Sequence, residues 1–404
     1  MAIRRYASLP KVSRRKKEPA AVANPFRIGE HVSGAHFTNR TAEIARIRSA
    51  LLEPSALLVY GPRRMGKSSA IRAAADVARS GRPKPVIVAV DLSTATSLFD
   101  VAARLLRSLY VETRSLRLRF EELLGALAPR ISLTFNEQSG APVITFGAER
   151  RTASEEDKRR TFESVFERLL ALQRKIRRPV AIVLDEFQVI HTLGGESGEW
   201  HLRDVVQRHG DLSVICAGSE ESLIREMIGP KRAFYKMFEL LYLGPLEEQH
   251  FAGWIEEGLR RAVELEADVG AAVVRLAGPR TQDVVQVARQ LFFRGLNEKR
   301  PLGGADVAEA MEDLVDSEAP LIRTLWSELA PHQQDVLRVV ALGADQIFSA
   351  EVRDRYGLPA ASSVQRALDA LLSRGVLVRE GERIRFDSAF VRRWVEREVA
   401  PDVG

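Results

Sequence analysis

The sequence predicts an α/β protein built on a mostly parallel sheet, continued by a helical segment and closed by a winged helix. Three observations carry that prediction. Five short apolar runs alternate with helical patterns over about residues 25–245, as in α/β layers with parallel strands. A glycine-rich loop, Gly61–Ser68, lies between the first run and an Ala-rich helical pattern. After about residue 321, three helical patterns are followed by a hairpin signal around Glu380–Gly381.

The five runs are ALLVY (56–60), PVIVAVDL (85–92), VAIVL (180–184), LSVICAG (212–218) and LLYLG (240–244). Several are continuous rather than alternating, which is how strands buried on both faces read. Between the second and third, PRISLTFNEQSGAPVITFG (129–147) holds two strand-like stretches flanking NEQSGAP. This predicts a hairpin inserted in the sheet connections. Residues 246–315 read as helical without strand signals. The resulting division is 1–24, 25–245, 246–315 and 316–404.

The chain of 404 residues is too long for one ordinary domain. Its 45% hydrophobic and 28% charged residues are those of a soluble globular protein. A single cysteine, Cys216, excludes an intrachain disulfide framework and fits a reducing compartment. No apolar run approaches the ~20 residues that span a bilayer, and the basic N-terminus has no apolar core after it. A cytoplasmic protein without a membrane partner is expected. The net charge is +6, yet residues 1–24 alone carry a surplus of six: Arg4, Arg5, Lys11, Arg14, Arg15, Lys16 and Lys17 against Glu18. The rest of the chain is neutral. The arm, with Pro10 and Pro19 among its charges, is expected to be disordered. It suits phosphate backbones or acidic partners, or serves as a solvated tail.

Chemistry concentrates after the first and third runs. LLVYGPRRMGKSS matches G-x-x-x-x-G-K-S/T from Gly61 through Pro62, Arg63, Arg64, Met65, Gly66 and Lys67 to Ser68, with Ser69 next. Such a loop curls its backbone so that N–H groups converge on a phosphate cluster at a helix N-terminus. Lys67 supplies a point charge for the β/γ-phosphates, and the Ser68 hydroxyl a ligand for Mg²⁺. ATP with Mg²⁺ is therefore the expected ligand. In VAIVLDEF (180–187), Asp185 falls at the C-terminal edge of a buried strand, where open α/β sheets bind ligands. It is the second candidate for the metal, and Glu186 is the candidate base for the attacking water. Ser219, at the end of the fourth run, either contacts the water or γ-phosphate, or caps the helix EESLIREM.

These residues carry a family resemblance. NPFRIGEHVSGAHFTNRTAEIARIRSALLEPSALLVYGPRRMGKSS, LDEFQ, ICAGSEESLI and LLYLGPLEEQHF resemble the archaeal-type ATPases of the STAND class, relatives of the AAA+ group and of archaeal origin-recognition proteins. The resemblance runs from about residue 25 through the C-terminal segment. It implies a P-loop core with an inserted-strand sheet, a helical lid and a winged helix behind it. It further implies that Arg40, in the FTNRTAE box, lies near the nucleotide; a surface arginine at a helix start is the alternative. Arg280 resembles a lid sensor arginine, or is solvated. Where the family has an arginine completing the site, this chain has Lys236, with Arg232 the nearest arginine. Arg63 and Arg64 are expected to face outward, toward another domain or subunit.

In the C-terminal segment, Ser349 is a candidate N-cap. ASSVQRALDALLSRG presents Val364, Ala367, Leu368, Leu371 and Leu372 at core spacing and Gly375 at its C-cap. In DNA-binding winged helices this third helix enters the major groove, which makes Arg366, Arg383 and Arg385 candidate DNA contacts. Residues 321–400 nevertheless hold 12 arginines against 11 acidic residues, a weak electrostatic footprint. The expected function is a nucleotide-controlled ATPase switch coupled to the winged helix and an unknown protein partner, with nucleotide-dependent self-association open. The alternatives are an ATP-regulated DNA-binding protein and a nucleotide-binding scaffold with negligible turnover.

Overall fold

The computed structural model describes residues 23–29, 36–114, 131–135, 142–146, 154–344, 346–380 and 383–399. Most of the basic arm, residues 1–22, lies outside these.

Five strands form one parallel sheet: β1 (Ala56–Tyr60), β2 (Val86–Asp91), β5 (Val180–Asp185), β6 (Ser213–Gly218) and β7 (Glu239–Tyr242), in the order β2-β5-β6-β1-β7. β6 is thus inserted between β1 and β5, as the inserted-strand reading requires. The central strands are apolar on both sides because both faces are covered. On one face lie α1 (Thr41–Leu52) and α2 (Lys67–Ser80), packing Ile47, Ala70 and Ala74 against Leu57, Val59 and Ile215. On the other lie α3 (Leu98–Thr113), α4 (Glu155–Ile176), α5 (Val189–Arg208) and α6 (Glu221–Met227), whose core includes Phe162, Phe166 and Phe187. α5 is broken at Gly195, where the backbone leaves helical geometry. The expected hairpin is present as β3 (Ile131–Phe135) paired antiparallel with β4 (Pro142–Phe146).

The helical segment contains α7 (Glu248–Leu259), α8 (Val269–Ala277), α9 (Thr281–Glu298) and α10 (Gly304–Ser327). The winged helix follows with α11 (Pro331–Ala341), α12 (Ala350–Tyr356), α13 (Ala361–Ser373), β8 (Leu377–Glu380), β9 (Arg383–Phe386) and α14 (Ala389–Glu398). Ser349 caps α12 by accepting from the Val352 N–H. α13 buries Val364, Ala367, Leu368 and Leu371, with Leu372 half-buried.

The domain borders differ from expectation at two places. α10 runs unbroken across the border expected at 315–316, and helical segment and winged helix share one apolar core. The helix continues even through Pro320, which has no N–H to donate and so leaves out one helical hydrogen bond. Phe26, which by sequence falls in the segment 25–245, is wholly buried against Trp254 and Phe292 of the helical segment. Among the described residues no helix is long and apolar enough to cross a membrane.

β1 passes into the glycine-rich loop at Gly61, whose φ of 150° is one that L side chains rarely adopt, and a Cβ there would stand 2.3 Å from the Leu243 carbonyl oxygen. Gly61→Ala therefore combines backbone strain with overpacking and is expected to destabilise the chain by about 3 kcal/mol. A lowered urea midpoint checks this, whereas an unchanged midpoint would mean that the loop and β7 separate at little cost.

Candidate functional site

Three parallel strands end together and deliver the site. From β1 comes the loop, in which Arg64 (φ 64°) and Gly66 (φ 84°) take left-handed conformations. These two residues curl the chain into the first turn of α2, and Met65 anchors the curl by burial. The Lys67 ammonium donates to the carbonyls of Gly61 (2.9 Å) and Pro62 (2.6 Å). Burial lowers its pKa to about 8, while Glu186 and Asp185 oppose the shift and Arg280 adds to it. From β5 comes Asp185, whose Oδ2 accepts from the Ser68 hydroxyl at 2.5 Å. Burial pushes the Asp185 carboxyl up, against the hydrogen bonds from Ser68 and the Glu186 N–H. Two hard oxygen donors, one of them a half-buried carboxylate, are thereby brought together. That is a donor set suited to Mg²⁺, which takes one or two protein oxygens and completes its shell with phosphate and water.

Glu186 follows in a left-handed conformation (φ 53°). Ser219, from the end of β6, donates its hydroxyl to both Glu186 oxygens (2.9 and 3.1 Å). Of the two readings open for Ser219, the capping one is not realised, because Glu220 is the N-cap residue of α6 and no side chain caps it. Arg40 is buried rather than on the surface. Its guanidinium holds Glu43 (3.0 Å) and the Gly244 carbonyl and lies 3.5 Å from the Met65 carbonyl. It thus ties the start of α1 to the loop and to the segment after β7.

These elements enclose a cavity of about 720 Å³. Its lining includes Arg40, Arg63, Arg64, Met65, Gly66, Lys67, Ser68, Ser69, Glu186 and Ser219, and the apolar side chains of Phe37, Leu246, Phe251, Trp254 and Val285.

Residues 37–287 match the family described as an ATPase domain predominantly from Archaea, and residues 321–397 match a probable winged helix domain. The chain belongs to this ATPase family. In architecture it is similar to the Walker-type ATPase PABY2304 of Pyrococcus abyssi (TM-score 0.60, 17% identity, covering 91% of this chain and 99% of that one). It is also similar to the ORC2 protein of Aeropyrum pernix in its ADPNP–ADP complexes (TM-score 0.54, 14% identity, 89% and 93%). No curated protein matches the chain.

Two of the arginines singled out in the sequence are engaged by carboxylates away from the cavity lining. Arg280, the N-cap residue of α9, does not line the cavity. It is 1% exposed and paired with Asp387 of the winged helix at 2.5 Å, and its Nε donates to the Asp387 carbonyl at 3.1 Å. A buried guanidinium needs a nearby anion, and in this state Asp387 provides it. Arg232 is held by Glu196, Glu199 and Glu226 within 3.0 Å, so it braces α5 rather than reaching a nucleotide. Arg63 is exposed at the cavity, as expected. Arg64 is half-exposed and lies 3.7 Å from Asp283 of α9, which makes the other-domain contact an intramolecular one.

Sequence reasoning did not find the apolar wall, Gln188, Asp283 or Asp387. Phe251 and Trp254 stand three residues apart on one helix, a spacing that reads as ordinary core. Asp283 is wholly buried, accepts from the Ala389 N–H at 3.1 Å, and has its pKa raised to about 6 by burial, against Ala389 and Arg64. It is therefore easier to protonate in the folded chain than at its ordinary value of 3.8. The stability this adds is present below that ordinary value and lost as pH rises through about 6. Asp283→Asn removes the titration and keeps an acceptor for Ala389. Relative to the parent, the variant should gain on the order of 2 kcal/mol between about pH 4.5 and pH 7, measured by urea unfolding across that range. A difference independent of pH would contradict the assignment.

Proposed function

We propose that the chain is a Mg²⁺-dependent ATPase of STAND type whose nucleotide state switches the winged helix. The observation that carries this reading is the buried pair between Arg280, at the start of a lid helix whose first turn lines the cavity, and Asp387 of the winged helix. Arg280 also lies close enough to Lys67 to depress its pKa. A cation placed between a phosphate-binding lysine and a carboxylate on another domain responds to whichever anion is stronger.

The chemistry follows from the residues present. The triphosphate lies along the loop backbone and the N-terminus of α2, and Lys67 exchanges the Gly61 and Pro62 carbonyls for phosphate oxygens. The adenine occupies the apolar wall formed with Phe251 and Trp254. Ser68 and Asp185 would hold Mg²⁺, which would supply positive charge against that of the phosphates. Glu186 takes the proton of the attacking water, with Ser219 orienting its carboxylate. With the γ-phosphate present, Arg280 turns toward it and Asp387 is released. A protein partner, or a second copy meeting exposed Arg63, belongs to the same proposal.

In Asp387→Ala, Arg280 is left as a buried cation without a partner in the empty state, a situation that costs about 3–5 kcal/mol and that triphosphate relieves. ATP should therefore bind more tightly than to the parent. Glu186→Gln should bind ATP normally and lose ~10²–10⁴-fold in turnover. Deuterium exchange across 386–395 should quicken when ATP is held by Glu186→Gln, and be fast without nucleotide in Asp387→Ala. Identical exchange with and without ATP in a protein that binds it would overturn the switch.

A second reading, DNA binding through the winged helix, is favoured by the exposure of Arg366 on α13 and of Arg383 and Arg385 on β9. If these three contact phosphates, replacing all three by Ala should lower the salt slope of duplex binding by roughly 2–3, at ~0.9 per contact. An unchanged slope would exclude that face.

A further inference from the structure

Glu186 is held by a second residue besides Ser219. Gln188 is 5% exposed and lines the cavity, and its Nε2 donates to Glu186 Oε2 at 2.5 Å. The orientation of this amide is fixed by chemistry, since a carboxylate oxygen only accepts and the nitrogen must therefore face it. The other end of the amide, Oε1, is buried without a hydrogen-bond partner. It fits against Gly218, where a Cβ would stand 2.8 Å from it. A glycine at the end of β6 therefore leaves the room that lets Gln188 sit beside Glu186, while the next residue, Ser219, donates to the same carboxylate. Leaving a buried amide oxygen unsatisfied is destabilising, so the arrangement is not one that local stability selects.

We infer that Gln188 is a positioning residue for hydrolysis, fixing the Glu186 carboxylate in the orientation from which it takes the proton of the attacking water. This inference rests on the ATPase reading above. Two effects of the amide compete. A donor to a carboxylate makes it a weaker base, which alone would slow proton transfer by less than about tenfold for one neutral hydrogen bond. A glutamate freed to change rotamer misplaces its oxygen by an ångström or more, which costs on the order of 10²-fold. Orientation outweighs basicity, so removing the amide slows the reaction. Ser219 restrains the carboxylate from the β6 side and Gln188 from the α5 side, and a single donor leaves the carboxylate free to turn about it.

The test is a double-mutant cycle with the full chain and Mg²⁺·ATP, read by single-turnover hydrolysis. Gln188→Met keeps length and volume without the donor. It should lower kcat about 10–100-fold with KM and ATP affinity changed less than about threefold. Placed in the Glu186→Gln background, it should have no further effect, since there is no carboxylate left to orient. Gln188→Asn, whose amide is one methylene short of Glu186, is the second variant and should behave as Gln188→Met does, should the latter fold poorly. Wild-type turnover in a folded Gln188 variant overturns the inference, as does the same loss in both backgrounds or a loss confined to KM. If Glu186→Gln itself hydrolyses ATP at the parental rate, it is the ATPase reading that fails, whatever Gln188 does.

Discussion

Parallel register between β1, β6 and β5 is the constraint on which the site depends. Tyr60 is level with Gly218, and Leu184 with Cys216, so the residues that follow (Gly61, Ser219 and Asp185) emerge along a single edge. Side chains 117 and 33 residues apart in sequence then meet at hydrogen-bond distance without any local device. The Ser68–Asp185 contact and the Ser219–Glu186 contact both follow from strand pairing. A slip of one residue in either pairing would turn every side chain of that strand to the other face and dismantle both contacts.

The same edge gathers charges that would be expensive to bury singly. Lys67, Asp185, Asp283 and Arg280 are all buried or nearly so, and an isolated buried ion costs several kcal/mol. Each is met by something movable: loop carbonyls for Lys67, a hydroxyl for Asp185, a backbone N–H and Arg64 for Asp283, a carboxylate from another domain for Arg280. The displaced pKa values of Lys67 and Asp283 record how incomplete that compensation is. The site is thus a collection of incompletely compensated charges of both signs.

Much of this was legible in the sequence, for identifiable reasons. The five strands stood out because burial on both faces makes parallel strands continuously apolar. The P-loop stood out because backbone curling demands glycine at fixed spacing, and the wing because a hairpin follows three amphipathic helices. What was not legible depends on pairing across distance. Arg280 and Asp387 are 107 residues apart, and neither neighbourhood marks the other as its partner. Gln188 reaches Glu186 only because Glu186 adopts a left-handed backbone, a conformation a glutamate does not advertise. No break marks 315–316 because α10 continues through it, its buried Val315, Ala319 and Ile322 belonging to a core that helical segment and winged helix share. Phe26 falls by sequence in the segment 25–245, whereas its packing is with Trp254.

The unbroken α10 also decides what kind of motion is available. At ~1.5 Å per residue its 24 residues form a rod about 36 Å long, rooted among the lid helices and gripped by α14 through Glu312 and Asp316. Winged helix and helical segment are therefore joined by one helix and one apolar core rather than by a tether, so displacement of either is transmitted to the other through α10.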